Sequence, residues 1–117
     1  MYDYMLQGLY LKGSLKNVAG GFQFALRNNI DSGSISGIKK LEVDGTAVDL
    51  DAVMVGRDEP TRKATELSYK SPLYLAYGQT CVIKVEGKTL EPGQHKLVLT
   101  ADSPEAGRAT ITIQDTI

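Results

Sequence analysis

The chain has 117 residues, 42% hydrophobic and 23% charged, the proportions of one folded domain with a buried core rather than of a disordered tail. Thirteen Lys and Arg against fourteen Asp and Glu leave a formal net charge of -1, so there is no broad basic field for nucleic acid or anionic lipid. A single Cys and a single His exclude an internal disulfide, a multi-cysteine zinc site and a histidine-rich metal cage within the chain.

At the start of the chain, Asp3 stands where an export signal carries positive charge, and Gln7, Gly8 and Lys12 interrupt the apolar positions. No run of roughly 18 apolar residues follows anywhere. A soluble cytoplasmic protein with no membrane segment is the expectation, and the unpaired Cys agrees with a reducing compartment. Phe22, Phe24 and Leu26 alternate with Gln23, Ala25 and Arg27, the period of a half-buried strand. Lys40 to Val43 alternates likewise and runs into Asp44-Gly45, a pair suited to a type I′ hairpin turn, before Val48 and Leu50 resume the apolar pattern. Gly56 to Lys63 is a mixed-charge segment expected to be a solvated loop. Arg62 to Tyr69 has a single clear apolar residue, Leu67, and so forms one short turn at most. Leu73 to Tyr77 and Thr80 to Glu86 are separated by Gly78-Gln79, which predicts a hairpin between them. Lys96 to Thr100 and Ala109 to Ile113 flank a Pro- and Gly-bearing turn over Asp102 to Gly107, which predicts a third hairpin after those at Asp44-Gly45 and Gly78-Gln79. Roughly seven to nine short strands with no convincing helix predict an all-β fold. The expected form is an antiparallel two-sheet β-sandwich, immunoglobulin-like or jelly-roll-like, with residues 1–117 as one domain.

Few side chains suggest chemistry. Cys81 shares a strand face with Ile83 and Val85 and has no neighbouring cation to lower its pKa, which is the pattern of a core cysteine. His95 follows the Pro92-Gly93 turn in phase with Leu97 and Leu99 and is expected to bond a nearby backbone carbonyl. A Cys81/His95 nucleophile pair is the enzymatic alternative. The polar run Asn28 to Ser34 is built of turn-forming residues and has no calcium-loop pattern. The six tyrosines outnumber the two phenylalanines; Tyr74, out of phase with Leu73, Leu75 and Tyr77, is placed on an outer face.

Three stretches, Gly13 to Asn29 with its Asn17-Val18 and Gly21-Phe22-Gln23-Phe24, Ile38 to Gly45, and Val82 to His95 with Leu90-Glu91-Pro92-Gly93, resemble the β subunit of bacterial C-glycoside deglycosidases. The resemblance implies an accessory β-sandwich subunit of an enzyme that cleaves the carbon–carbon bond between a 3-oxo sugar and an aromatic aglycone. It implies a TIM-barrel α subunit of the xylose-isomerase type as partner, holding a divalent metal, usually manganese, with no cofactor, metal or catalytic group on this chain. The loop Arg27, Asn28, Asn29, Ile30, Asp31 and Ser32 is the expected partner interface, because a rigid strand displays it and Arg and Asn offer a fork of donors and acceptors. The competing expectation is a stand-alone immunoglobulin-like module binding a glycan or a protein.

Overall fold

Residues 8–117 are described by the computed structural model; the export-signal reading of the first seven residues, with Tyr2 and Tyr4, lies outside them. Wherever apolar residues alternate in the sequence, the chain is extended: β1 Lys16–Val18, β2 Gly21–Arg27, β3 Gly33–Ile35, β4 Gly37–Val43, β5 Thr46–Ala47, β6 Val53–Arg57, β7 Arg62–Lys63, β8 Leu73–Leu75, β9 Thr80–Glu86, β10 Gln94–Ser103 and β11 Gly107–Thr116. Single 3₁₀ turns occupy Leu50–Ala52 and Ala64–Glu66. The pairings are antiparallel. They make a five-stranded sheet of order β1-β2-β9-β6-β7, a four-stranded sheet of order β11-β10-β4-β5, and a small sheet of β3 with β8. The fold is all-β, as the alternation predicts. No helix among the described residues is long and apolar enough to cross a membrane.

One hydrophobic cluster joins the inward faces of the two larger sheets. Register puts Phe22 opposite Val85, Phe24 opposite Ile83 and Leu26 opposite Cys81. In the other sheet Leu97 lies between Val43 and Ile113, and Leu99 between Leu41 and Ile111. All of these are buried, and each large side chain taken from water contributes roughly 1.5–3 kcal/mol. The Asp44-Gly45 turn has positive φ at both residues, 51° and 86°, the pair of left-handed conformations that a type I′ turn requires.

Two expectations are corrected. Leu73 to Tyr77 does not form a hairpin with Thr80 to Glu86: β8 pairs with β3, while β9 lies between β2 and β6. Asn28 diverts the chain, since its Nδ2 donates to the Leu75 carbonyl at 2.9 Å, its backbone carbonyl accepts from Gly78 N–H at 2.6 Å and its own N–H donates to Gln79 at 2.9 Å. The strand therefore ends at Leu75, and Tyr77 is exposed along with Tyr74. Nor is Gly56 to Lys63 a free loop. It is the turn of a β6–β7 hairpin in which Met54 and Val55 oppose Lys63 and Arg62. Gly56 is required there, because a Cβ would stand 1.8 Å from the Glu59 carbonyl oxygen. Arg62 secures the far side by donating to the carbonyls of Ser71 at 2.9 Å and Pro72 at 3.2 Å.

Candidate functional site

The inward positions of the C-terminal hairpin change character along its length. In β10 they run Leu97, Leu99, Ala101, and in β11 they run Ile113, Ile111, Ala109. Ala101 and Ala109 are direct cross-strand partners, so the place where the sheet should fill the interior holds two methyl groups. A cavity of about 350 Å³ opens there. Its walls are Leu26 and Ile83 of the five-stranded sheet, Leu99 and Ile111 of the four-stranded sheet, and Ile30, Ile35 and Leu75.

Two polar segments form the rim: residues 27–34, and the β10–β11 turn. Glu105 of that turn ties them together. Its Oε1 accepts the Ser34 N–H at 2.8 Å and the Ser103 hydroxyl at 3.2 Å, and the Ser34 hydroxyl lies 3.0 Å from Oε1 and 3.2 Å from Oε2. These donors, the Ser34 N–H first, hold the Glu105 carboxyl below the usual carboxylate range. Ser34 is itself buried. Asp102 accepts Arg108 Nε at 2.8 Å and a second guanidinium nitrogen at 3.2 Å, with Lys39 at 3.8 Å, and Arg108 accordingly lowers its pKa.

The proposed interface run Arg27 to Ser32 falls on this rim, where most of it is engaged within the chain. Asn28 spends its side chain on the carbonyls of Asp31 and Leu75 and on Ile30 N–H. Asn29 donates to the Gly8 carbonyl at 3.0 Å, Asp31 accepts from Ser32 N–H at 2.7 Å, and Ile30 packs on the core. Arg27 is exposed, and its guanidinium has no partner among the described residues. The sequence places Ser34 at the end of the polar run but singles out neither Glu105 nor the alanine pair. The signal was present in the shrinking inward residues of the last two strands, but the depth of the opposing wall was not.

Cys81 and His95 stand on different sheets, in β9 and β10. The thiol is fully buried, and burial pushes its pKa up to about 12. His95 has both ring nitrogens engaged, Nδ1 2.7 Å from Asp44 Oδ2 and Nε2 2.7 Å from the Glu91 carbonyl. Asp44 also accepts the Lys96 N–H at 2.9 Å. The hydrogen bond that His95 donates to Asp44 chiefly raises the His95 pKa, and the same bond lowers that of Asp44. This is a clasp between the β4–β5 turn and the entry to β10, and a nucleophile–base pair with Cys81 is not assembled. Among the described residues no group of three or more His, Cys, Asp or Glu is arranged to hold a metal ion.

The family model described as hydroxymethylglutaryl-CoA reductase, N-terminal domain, matches residues 5–117. The chain belongs to that family. The match overturns the resemblance to the C-glycoside deglycosidase β subunit, and with it the accessory-subunit function. It lends no support to an immunoglobulin-like glycan- or protein-binding module either. The physical reason is visible in the stretches that carried the resemblance. Gly21 to Arg27 is strand alternation, Asp44-Gly45 is type I′ turn chemistry, and Pro92-Gly93 supplies a turn with positive φ at Gly93, all of which any antiparallel sheet uses. No curated protein matches the chain.

Proposed function

We propose that this N-terminal domain of the hydroxymethylglutaryl-CoA reductase family holds a small apolar molecule in the cavity between its two larger sheets. The observation that carries the reading is the cavity itself. Its volume of about 350 Å³ lies within the range of small-molecule sites, roughly 300–1,000 Å³, and like them it combines hydrocarbon walls with a few convergent polar groups. A well-packed core has no such space. The coenzyme A thioester in the family's name is a poor occupant. It carries several phosphate charges, and of the cations at the rim Arg108 and Lys39 are already spent on Asp102, which leaves Arg27 alone beside Asp31 and Glu105. The proposed role is therefore ligand holding apart from any acyl-CoA chemistry. The xylose-isomerase-type partner and its manganese rested on the displaced resemblance alone and form no part of it.

The test uses Nile red, a neutral apolar dye whose emission rises in hydrocarbon surroundings. Titration of the full chain is expected to give saturable enhancement at one site. Ala109→Trp and, separately, Ala101→Phe fill the space from the β10–β11 wall and are expected to abolish it, with far-UV circular dichroism unchanged. Gln114→Trp, on the exposed face of β11, is expected to leave it intact. No saturable binding, or undiminished binding by both filled variants, would overturn the proposal.

A further inference from the structure

The rim of the cavity carries an acceptor that the fold leaves half used. Glu105 Oε1 receives the Ser34 N–H and the Ser103 hydroxyl. Among the described residues the Ser34 hydroxyl is the one side-chain donor near Oε2, at 3.2 Å, its single proton shared with the closer Oε1, and the backbone N–H of Glu105 also acts on the carboxylate. An ionised carboxylate offers about four lone-pair positions, so Oε2 retains room for another donor, beside a space otherwise walled by hydrocarbon.

We propose that the cavity selects apolar molecules that end in a hydrogen-bond donor, an alcohol or an amine, over apolar acids, with Glu105 Oε2 receiving the donor. This rests on the reading of the cavity as a small-molecule site. Three features support it. First, the acceptor is fixed in place: Ser34 is buried and its backbone N–H holds the solvent-exposed Glu105 side chain at the rim, so little ordering cost falls on the ligand. Second, the charges of the lining are Asp31, Asp102 and Glu105 against Arg27. Arg108 and Lys39 are both spent on Asp102, so no cation among the described residues pairs with the Glu105 carboxylate, beside which a ligand's head group would sit. A carboxylate placed there loses water and meets like charge. Third, Glu105 stays ionised at neutral pH because its serine donors favour the charged form. A hydrogen bond to a charged acceptor is stronger than one between neutral groups. Arg27 is the one competing element, a cation at the rim that would favour the acid instead.

The experiment is displacement of Nile red from the full chain near neutral pH by 1-octanol, octylammonium and octanoate, which share a chain length and differ in the head group. The alcohol and the ammonium are expected to displace the dye at concentrations about tenfold or more below the acid, the discrimination of one hydrogen bond to a charged group. Glu105→Gln keeps an acceptor toward Ser34 and is expected to bring the three ligands within about threefold of one another. Ser34→Ala keeps the carboxylate and its backbone bond, and is expected to retain the preference. Octanoate displacing the dye as well as octanol does, or a preference that survives Glu105→Gln, overturns the proposal while leaving the cavity a ligand site. Preferred binding of octanoate that Arg27→Ala removes overturns it in favour of an acid site. Absence of saturable Nile red binding in the wild-type chain is the separate failure of the underlying reading. Should Glu105→Gln lose the dye altogether, the wild-type ranking and Ser34→Ala decide.

Discussion

Asn17 provides a sharp test of how the edge of the five-stranded sheet is held. Its Nδ2 donates to the Leu90 carbonyl and its Oδ1 accepts the Leu90 N–H, both at 2.8 Å, joining β1 to a residue 73 positions away. The complementary groups on Leu90 leave no ambiguity about which side-chain atom is oxygen. β1 is three residues long and, among the described residues, pairs only with β2, so it has little else to secure it. Asn17→Ala removes both bonds and strands both backbone groups of Leu90, whose side chain is buried. A hydrogen bond contributes about 1 kcal/mol net, and a stranded buried partner costs about 1–3 kcal/mol. With water reaching the backbone of this surface segment, the expected loss is about 2 kcal/mol, or roughly 10 °C in melting temperature for a domain of this size. Urea unfolding followed by far-UV circular dichroism is expected to show a lower midpoint at an unchanged slope. Asn17→Asp keeps the acceptor, loses the donor and faces a carboxylate toward the Leu90 carbonyl, so at neutral pH it is expected to be no more stable than the alanine variant. A loss under about 0.5 kcal/mol for Asn17→Ala would refute the reasoning, since exposed substitutions fall in that range.

The His95–Asp44 clasp makes stability depend on pH with a definite sign. His95 is raised above its ordinary 6.5 and Asp44 is lowered below its ordinary 3.8, so the contribution is complete between those values, lost as pH rises through the raised histidine value, and lost at the acid end as pH falls through the lowered aspartate value. Urea midpoints measured from about pH 6 to pH 9 are expected to fall more steeply for the wild-type chain than for His95→Gln, and equal slopes would remove the clasp from the account. Cys81, with its thiol pushed up to about 12 by burial, is expected to resist a thiol-specific disulfide reagent until urea unfolds the chain, and Cys81→Ala is expected to cost about 1–2 kcal/mol; rapid labelling of the native chain would show the site to be open.

What the sequence determined by itself is local. Alternation over Phe22 to Leu26 fixed which face of β2 is buried, because successive side chains of a strand point to opposite sides. Asp44-Gly45 specified its turn because few residues accept positive φ, and the Pro and Gly of the Asp102 to Gly107 segment specified the last hairpin. The phase of Cys81 and the position of His95 after a Pro-Gly turn sufficed to place one in the core and the other against a backbone carbonyl. The same local devices misdirected the family assignment, since strand periods and turn residues report a fold class and recur in unrelated chains. Only the tertiary structure decided which strands pair: Asn28, held by Leu75, Gly78 and Gln79 some 47 to 51 positions on, sends β8 to β3 and leaves β9 between β2 and β6. The candidate site belongs to the same level. Its space exists because two alanines meet across a hairpin beneath side chains from the opposite sheet, and its polar rim because Glu105 reaches Ser34 across 71 residues. A one-dimensional pattern records which side of a strand faces inward, but how far away the opposing wall stands is settled only when distant segments pack.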